Sequence, residues 1–384
     1  MILGIDASNI RGGGGVTHLV ELLRAANPLV SEFTQVIVWG GTQTLGRIED
    51  RPWLIKSHQP ILDRNLVYRS VWQRFKLSEL VRQAGCDVLF VPGGSYTGNF
   101  HPMVTMSRNM LPFEWRELLR FGWSWMTLKL AILRLIQARA FQRADGLIFL
   151  TQYAHDAVMQ LIKPVRGKVA VIPHGIDKRF ICPPREQMTM DFYSWDRPFH
   201  VLYVSVVDVY KHQWHVAEAV AQLRAGGLPV TLELVGPAYP PALKRLKRTL
   251  QQIDLDGEFV FYSGPIPHGE LHARYADAGV CLFASSCENM PNILLEGMAS
   301  GLPIACSNRG PMPEVLGGSG VLFDPENPQD IARALGGLIA TQDLRSRKAQ
   351  ASFEKVQAYS WERCAIETFD FLAEIGRQQH KPSM

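Results

Sequence analysis

The sequence has no arrangement of cysteines that indicates a disulfide framework or a zinc site. Its six cysteines are scattered over 384 residues, and no two of them form a C-x-x-C pair or another zinc spacing. Isolated thiols of this kind are typical of a protein in a reducing compartment. We therefore expect a cytoplasmic protein with packed, reduced cysteines and no metal bound through sulfur.

Long apolar runs are missing as well. The most hydrophobic helical stretch, near residues 121–137, is interrupted by Lys129 and Arg134 and falls short of the roughly 20 apolar residues that span a bilayer. The first residues, MILGID, are typical of a strand and not of a signal peptide. We expect a protein that is soluble or bound peripherally to a membrane.

The charge is unevenly distributed along the chain. Residues 1–180 contain 22 Lys and Arg against 13 Asp and Glu, whereas residues 181–384 contain 18 against 23, so the net charge of +4 conceals a basic first half. A basic half favours an anionic partner such as a phospholipid surface, and a solvated basic face is the alternative. We do not expect nucleic acid, because no interleaved aromatic and basic strand motif is present.

Short apolar runs alternate with helical stretches in both halves of the chain, as in parallel sheets covered on both faces. At 384 residues the chain is long enough for two domains of about 150–200 residues. Residues 181–198 contain three prolines and no periodicity, and we interpret them as a linker between a domain of residues 1–180 and one of residues 199–361. The pattern predicts two doubly wound α/β domains that bind ligand at the carboxyl ends of their strands. The predicted strands are 1–6, 35–40, 87–94, 103–107, 146–151, 168–175, 200–207, 230–236, 259–264, 279–285, 302–307 and 320–324.

A glycine-rich loop, Gly12 to Gly15, follows the first predicted strand and precedes an amphipathic helix. Such a loop lets backbone N–H groups approach an anion at a helix N-terminus. Val16 and Thr17 follow Gly15, so the loop lacks the G-K-[ST] of a Walker motif, and the spacing is also a poor match to a dinucleotide fingerprint. His18, one turn into the helix, is expected at the surface.

Lys211 lies in the loop after the first strand of the second half, where a cation can contact a phosphate. A solvated lysine is the alternative. The DLD sequence at 254–256 is similar to a metal-binding D-x-D, but it lies between a helix and a strand, and we interpret it as a turn.

The stretch SSCENMPNILLEGMASG, residues 285–301, has a glutamate at each end of an apolar run. We expect Pro291 in the first helical turn, with backbone donors at a diphosphate site. Glu288 is then expected beside the phosphate-linked sugar and Glu296 at paired hydroxyls such as those of a ribose. The alternative is one helix-start acid and one exposed acid. The expected backbone donors are Asn289, Met290, Asn292 and Ile293.

The same stretch and its continuation, to LFDP, resemble the E-x7-E region of family 4 retaining glycosyltransferases, which have the two-domain GT-B fold. Glu288 and Glu296 have the required seven intervening residues, and the A-x-G-x-P that follows is present as Ala299, Gly301 and Pro303. Upstream, GGVTHLVELL, TQYAHDAV and VIPHGIDKRF also resemble family elements. The resemblance covers nearly the whole chain, and its motifs occur in the family's order.

The resemblance implies transfer of a sugar from a nucleotide-diphosphate sugar with retained configuration and without a metal or other cofactor. It implies a nucleotide site in the C-terminal domain, an acceptor site in the N-terminal domain, a cleft between them, and a C-terminal helix, residues 362–384, that packs back on the first domain. By position, Glu288 contacts the donor sugar, Glu296 the ribose and Lys211 the diphosphate. The remaining assignments are Gly14, Gly15, Ser205 and Gly236 for donor binding, Arg108 for catalysis, and His18 and Asn109 for acceptor binding.

Three positions depart from the family pattern. Arg108 and Asn109 stand where the family commonly has His-Asp, Ser205 and Val206 replace a Gly-Arg pair, and Asn289 replaces a glycine. These departures motivate the alternative of a non-catalytic GT-B protein that binds a sugar nucleotide or a partner transferase. A sugar-nucleotide epimerase on the same fold is a further alternative.

Residues 113–145 combine three tryptophans with six arginines and lysines. Aromatic side chains and long cationic chains suit a lipid headgroup layer, and a packed helix is the alternative. Peripheral contact through residues 113–143 would place the protein on the inner face of the cell membrane, with a saccharide or lipid-linked saccharide as acceptor. Our leading hypothesis is a transferase of surface polysaccharide or glycolipid assembly.

Overall fold

The computed structural model describes residues 1–378, which form two compact α/β units. Unit 1 contains residues 1–118 and 122–175 together with the chain from Tyr359 to Gln378, and unit 2 contains residues 119–121 and 176–358. The last part of the predicted helix 362–384, residues 379–384, lies outside the described residues.

Unit 1 has a seven-stranded parallel sheet in the order β3-β2-β1-β4-β5-β6-β7. The elements in chain order are β1 (Ile2–Asp6), α1 (Gly14–Ala25), β2 (Gln35–Gly40), α2 (Thr42–Leu45), β3 (Leu54–His58), α3 (Leu66–Trp72), α4 (Ser78–Gln83), β4 (Val88–Val91), β5 (Met103–Met106), α5 (Trp115–Leu119), α6 (Trp125–Arg143), β6 (Gly146–Phe149), α7 (Gln152–Leu161) and β7 (Lys168–Val171).

The sequence predicted six of these seven strands and missed β3. The central strands β4, β5 and β6 are buried at every residue, which produces continuous apolar runs. Strand β3, with the sequence LIKSH, lies at the edge of the sheet and is only partly buried. An edge strand needs no continuous apolar run, so its sequence carries little signal.

Unit 2 has a six-stranded parallel sheet in the order β10-β9-β8-β11-β12-β13, and all six strands were predicted. The prediction of two doubly wound parallel-sheet domains is therefore confirmed. Its elements are β8 (Phe199–Val204), α8 (Gln213–Ala225), β9 (Val230–Val235), α9 (Pro240–Ile253), β10 (Val260–Gly264), α10 (Leu271–Asp277), β11 (Val280–Phe283), α11 (Asn292–Ala299), β12 (Ile304–Ser307), α12 (Met312–Leu316), β13 (Val321–Phe323), α13 (Pro328–Ala340) and α14 (Gln342–Val356).

Residues 181–198, interpreted above as a linker, make their contacts within unit 2. The Cys182 N–H donates to the Ala299 carbonyl at 2.9 Å, and the buried Gln187 carboxamide accepts from Arg345 Nε at 3.3 Å. The segment lacks periodicity because it runs across a domain surface and is held by individual hydrogen bonds.

The last described helix, α15 (Trp361–Gln378), belongs to unit 1. Ser31 Oγ donates to Asp370 Oδ1 at 2.6 Å, and Arg377 forms an ion pair with Glu32 at 2.7 Å. The start of the helix lies against Gly175, because a Cβ on that glycine would be 2.1 Å from the Trp361 backbone nitrogen. Only glycine fits at residue 175 while α15 is docked.

We predict that Gly175→Ala lowers the free energy of unfolding of unit 1 by about 2 kcal/mol or more, since the added methyl group overlaps a backbone nitrogen. Scanning calorimetry measures the change. The control is Gly12→Ala, where an added Cβ meets no atom within 4 Å. Equal melting temperatures for the two variants would contradict the close approach of α15 to Gly175.

Candidate functional site

The carboxyl ends of β8 and β11, neighbouring strands in unit 2, carry two loops that are joined by hydrogen bonds. The Ser286 N–H donates to the Tyr210 carbonyl at 2.9 Å, and Ser286 Oγ lies 2.9 Å from His212 Nε2. His212 is fully buried, and burial is the main reason that its pKa falls to about 3. A neutral His212 therefore fixes the loop that presents Lys211.

Lys211 and Glu288 form an ion pair between these loops. Only 5% of Lys211 is exposed, which excludes the alternative of a solvated lysine. Its Nζ lies 5.0 Å from the centre of the Tyr210 ring and 5.1 Å from that of Phe283, so aromatic faces surround the ammonium. The structure thus brings together the cation and the first carboxylate that the sequence placed at one site.

Helix α11 begins at Asn292, so Pro291 precedes the helix and does not lie in its first turn as predicted. The Leu294 and Leu295 N–H groups donate to the Pro291 carbonyl, and the Asn292 N–H donates to the Met290 carbonyl at 3.1 Å. The expectation that the Asn292 N–H is available to a ligand is therefore wrong. Ile293, in the first turn of α11, donates to none of the carbonyls of residues 1–378 through a turn or cap hydrogen bond.

Glu296 lies one turn into α11 and is 5% exposed, so the alternative of an exposed acid is wrong. Its Oε1 is 3.2 Å from His268 Nε2, and its Oε2 accepts a hydrogen bond from the Tyr275 hydroxyl at 3.2 Å. Burial, followed by the negative charge of Glu296, raises the pKa of Tyr275 well above its usual range, so the hydroxyl stays protonated. Glu296 is a fixed hydrogen-bond acceptor at the carboxyl edge of the sheet.

Ser205 and Gly236 follow β8 and β9 directly and touch each other. The Ser205 N–H donates to the Val235 carbonyl at 2.8 Å, and Gly236 has a φ of 139°. A Cβ on Gly236 would lie 2.2 Å from the Ser205 carbonyl oxygen. The backbones that follow β8 and β9 therefore approach each other closely at these two residues, and this approach requires glycine at residue 236.

In unit 1 the glycine-rich loop leads into α1, whose N-terminus has no side-chain cap and no acidic residue in its first turn. Gly13 has a φ of 61°, and its carbonyl accepts from the Val16 and Thr17 N–H groups. No acidic side chain in the first turn of α1 therefore offsets the positive end of the helix dipole. Gly14 and Gly15 lie at this helix start, where the sequence predicted an anion site.

Arg108, which follows β5, lies against this helix start. Its Nη1 would be 3.1 Å from a Cβ on Gly15, and its buried Nε has no hydrogen-bond partner among residues 1–378. No ion pair with a carboxylate of that part of the chain offsets its charge, and burial lowers its pKa to about 10. An unpaired guanidinium beside an uncapped helix N-terminus favours an anionic ligand.

His18 is fully buried, so its expected surface position is wrong. Its Nδ1 lies 2.8 Å from Nδ1 of His174, and the Trp361 ring packs against both imidazoles at 5.6 and 5.7 Å. Burial lowers the pKa of His18 well below its usual range and, with the charge of Arg108, lowers that of His174 to about 3. The two neutral imidazoles pack behind the site, because α15 covers this face of α1.

Asn109 uses its side chain within its own turn, where Oδ1 accepts a hydrogen bond from the Leu111 N–H at 3.1 Å. Three residues around the predicted site, His174, His268 and Tyr275, were not selected from the sequence. His174 lies in the HGID motif quoted above, which was a usable signal, whereas His268 and Tyr275 are single residues in a loop and a helix. Only the fold brings the latter two to Glu296.

The DLD sequence forms a turn, as predicted. Asp254 accepts hydrogen bonds from the Glu258, Phe259 and Val260 N–H groups at 2.8, 3.0 and 2.7 Å. Its carboxylate is committed to the start of β10. Within residues 1–378, no group of three or more His, Cys, Asp or Glu side chains is arranged to hold a metal ion.

Two family descriptions match successive parts of the chain. Residues 12–180 match Glycosyltransferase Family 4, and residues 198–341 match Glycosyl transferases group 1. The first match contains the glycine-rich loop and Arg108, and the second contains Lys211, Glu288 and Glu296.

Individual relatives are distant. The chain is 28% identical over 112 residues to an O-antigen chain mannosyltransferase B of Escherichia coli, which covers 29% of each protein. It is 25% identical over 266 residues, 65% of this chain and 66% of the relative, to a GDP-mannose-dependent alpha-(1-6)-phosphatidylinositol monomannoside mannosyltransferase of Mycobacterium tuberculosis. The chain thus matches less than two thirds of the length of these curated relatives.

A solved structure matches the whole chain. The Anabaena protein HepE, crystallised with UDP and glucose, is 17% identical, and the match covers 99% of both chains with a TM-score of 0.64. At this identity the likeness establishes the fold.

We predict that Arg108→Met raises the free energy of unfolding of the unliganded protein by about 1 kcal/mol, because it removes an unpaired, largely buried charge. For a unit of this size the melting temperature would rise by about 2–4 °C. Arg139→Met, at an exposed arginine of the same unit, serves as the control and is expected to change stability by less than about 0.5 kcal/mol. A clear loss of stability in Arg108→Met alone would show that the guanidinium has a structural partner.

Proposed function

Because the chain belongs to the family 4 glycosyltransferases, we propose that it transfers a sugar from a nucleotide-diphosphate sugar to a saccharide or lipid-linked saccharide acceptor. The observation that carries this proposal is the arrangement at the carboxyl edge of unit 2, where Glu288 pairs with Lys211 and Glu296 is held by two donors. The names of the relatives, which refer to O-antigen and to a phosphatidylinositol mannoside, favour a surface polysaccharide or glycolipid as product.

Lys211 supplies the positive charge at the leaving group. As the bond from the sugar to the diphosphate breaks, negative charge grows on the diphosphate, and a fixed cation stabilises that charge. The ammonium is engaged by Glu288. Entry of the dianionic diphosphate competes for Lys211 and lets Glu288 accept hydrogen bonds from the donor sugar. The ion pair thus holds the Lys211 ammonium and the Glu288 carboxylate next to each other at the proposed donor site.

Glu296 recognises the ribose. A carboxylate accepts from two adjacent hydroxyls, and both of its oxygens keep acceptor capacity beyond the bonds to His268 and Tyr275. Retention of configuration and independence of metal belong to the proposal as well. They are supported by the resemblance to the family 4 retaining glycosyltransferases.

In unit 1, Arg108 and the N–H groups at the start of α1 bind a negative group of the bound substrates. The unpaired guanidinium and the absence of an acid in the first helical turn support this role. The assignments of Gly14 and Gly15 to the donor and of His18 and Asn109 to the acceptor side remain predictions. The buried position of His18 favours an indirect role, through the packing of α1.

Donor binding tests the proposal. Calorimetry with UDP-, GDP-, ADP- and dTDP-sugars is expected to identify one donor class that the wild type binds and that Glu296→Ala binds about tenfold or more weakly, because a charged hydrogen-bond acceptor is lost. Glu288→Ala is expected to abolish transfer. Glu270→Ala, at an exposed glutamate of the same unit, is the control and is expected to bind as the wild type does.

Assays of biological function and of donor conversion distinguish the alternatives. A non-catalytic protein would keep its biological function in Glu288→Ala, and an epimerase would convert the donor without an acceptor. Failure of the wild type to bind any nucleotide sugar would contradict the assignment of both glutamates.

We also propose that unit 1 contacts an anionic membrane surface at the cytoplasmic face. Near α5 and α6 the side chains of Trp115, Trp123, Trp125 and Leu135 are exposed, and Arg134 stacks on Trp115 at 5.5 Å. Residues 115–143 contain six basic residues and one acidic residue, and five of the basic residues belong to unit 1, whereas Arg120 belongs to unit 2 and pairs with Glu326. None of the helices within residues 1–378 is long and apolar enough to cross a membrane.

A second segment with the same character, residues 64–76, supports this surface. Val67 and Phe75 are exposed, and the segment has four basic residues and no acidic one. The connections from β3 to β4 and from β5 to β6 run in the same direction across the sheet, so right-handed crossovers place α3 and α6 on the same face of unit 1. Together these two segments account for the whole excess positive charge of residues 1–180.

Vesicle co-sedimentation tests this surface. The wild type is expected to bind vesicles with about one third phosphatidylglycerol more tightly than pure phosphatidylcholine vesicles, because basic side chains attract anionic lipid. The double variant Trp123→Ser, Trp125→Ser is expected to lose most of this binding, since both side chains are exposed. Trp195→Ser, at an exposed tryptophan of unit 2, is the control. Equal losses in the two variants would contradict a lipid surface on unit 1.

A further inference from the structure

Each carboxylate oxygen of Glu296 contacts one hydrogen-bond donor from another element of unit 2. His268, in the turn between β10 and α10, approaches Oε1 at 3.2 Å, and Tyr275, in α10, donates to Oε2 at 3.2 Å. A carboxylate fixed at both oxygens has one orientation. Any ligand hydroxyl pair that binds Glu296 therefore meets an acceptor whose geometry these two residues set.

A buried aromatic ring holds both donors in place. The Phe180 ring contacts His268 at 5.4 Å and Tyr275 at 5.8 Å between ring centres, in edge-to-face arrangements, and Phe180 is 1% exposed. The His268 side chain itself is 43% exposed. It is thus positioned on one side by Phe180 and is open to solvent on the other, where a proton can be exchanged.

Charge gives His268 a second role. A diphosphate carries two negative charges, and two nearby carboxylates would repel it unless each has a cation beside it. Lys211 is that cation for Glu288. His268 is the only histidine, lysine or arginine side chain within ion-pair distance of Glu296 among residues 1–378. The site therefore has one permanent cation and one that titrates.

We propose that His268 is a positioning residue for nucleotide binding: it orients the Glu296 carboxylate for the ribose and, when protonated, balances its charge beside the diphosphate. This inference rests on the proposed function and adds a pH-dependent contribution to it. No covalent step is involved.

The direction of the pH dependence follows from the groups that face His268. The hydrogen bond to Glu296 is the main cause that raises the pKa of His268 above its usual value of 6.5, and Asp177 acts in the same direction. Arg179, which is paired with Asp177, and partial burial act against it, while Tyr275 stays neutral. His268 is charged below the raised pKa, so donor affinity is expected to be highest there and to fall as pH rises through it.

Calorimetry from about pH 5.5 to about pH 8.5 covers the range in which histidine titrates and tests the proposal. UDP-glucose and GDP-mannose are the probes, because a diphosphate that is esterified at both ends stays fully ionised throughout this range. His268→Gln keeps a side-chain donor but has no charge. It is expected to bind the donor about three- to tenfold more weakly at the acidic end and to lose the pH dependence. His272→Gln, at an exposed histidine of the same loop and helix segment, is the matched control.

A second measurement separates positioning from a structural role. The wild type is compared with His268→Ala and Tyr275→Phe for binding of UDP and GDP and of their 2′-deoxy analogues. If His268 acts through Glu296 on the ribose, the preference for the ribonucleotide falls in both variants, whereas a change in packing alone lowers affinity for both nucleotides equally. Melting curves establish that the variants are folded.

The outcomes distinguish this inference from the proposed function. A wild type that binds a nucleotide sugar, together with a His268→Gln variant that keeps the wild-type pH profile and ribose preference, would overturn the role of His268 alone. Equal binding of ribo- and deoxynucleotides by the wild type would also overturn it, because Glu296 would not contact the ribose. Failure of the wild type to bind any nucleotide would overturn the proposed function and this inference with it.

Discussion

The candidate site depends on the ion pair between Lys211 and Glu288, because this pair offsets the repulsion between a carboxylate and a nearby diphosphate. A carboxylate that contacts the donor sugar must lie close to a dianionic diphosphate, and the repulsion is strong where water is excluded. The structure meets this constraint by burying a lysine between the two loops and by holding its ammonium against the Tyr210 and Phe283 rings. Removing either partner would leave a largely buried charge without compensation, so the two loops and their strands depend on each other.

This constraint explains why the fold and part of the site could be predicted from the sequence. The strands of a parallel sheet are buried on both faces, and their apolar runs set the positions of the loops at their carboxyl ends. Lys211, Glu288 and Glu296 follow such runs at fixed spacings, so their shared location could be inferred. The sequence placed Lys211 at a phosphate and both glutamates at hydroxyls, but the ion pair between Lys211 and Glu288 appears only in the structure.

The remaining features depend on tertiary contacts that leave no local pattern. His268 and Tyr275 reach Glu296 from different elements, and their sequence neighbourhoods give no indication of that contact. His18, one turn into its helix, was expected at the surface, but α15, more than 300 residues later in the chain, covers it. Strand β3 was missed because an edge strand satisfies weaker hydrophobic requirements. A distant partner thus decided the environment of the three side chains, and a position at the sheet edge decided that of β3.

Arg108 differs from the glutamates of unit 2, because each glutamate has a basic side chain beside it, whereas the buried Arg108 has no carboxylate partner among the described residues. Among the described residues no carboxylate neutralises its guanidinium, and the adjacent helix start adds positive potential instead of removing it. Such an arrangement is unfavourable by itself, which is the usual cost of a site that complements the charge of a ligand. The buried neutral histidines behind it fit this view, because protonating His18 or His174 would add repulsion that nothing nearby offsets. Unit 2 thus balances its acids internally, whereas unit 1 leaves a buried cation that no carboxylate of the described residues balances, as the proposed anion site requires.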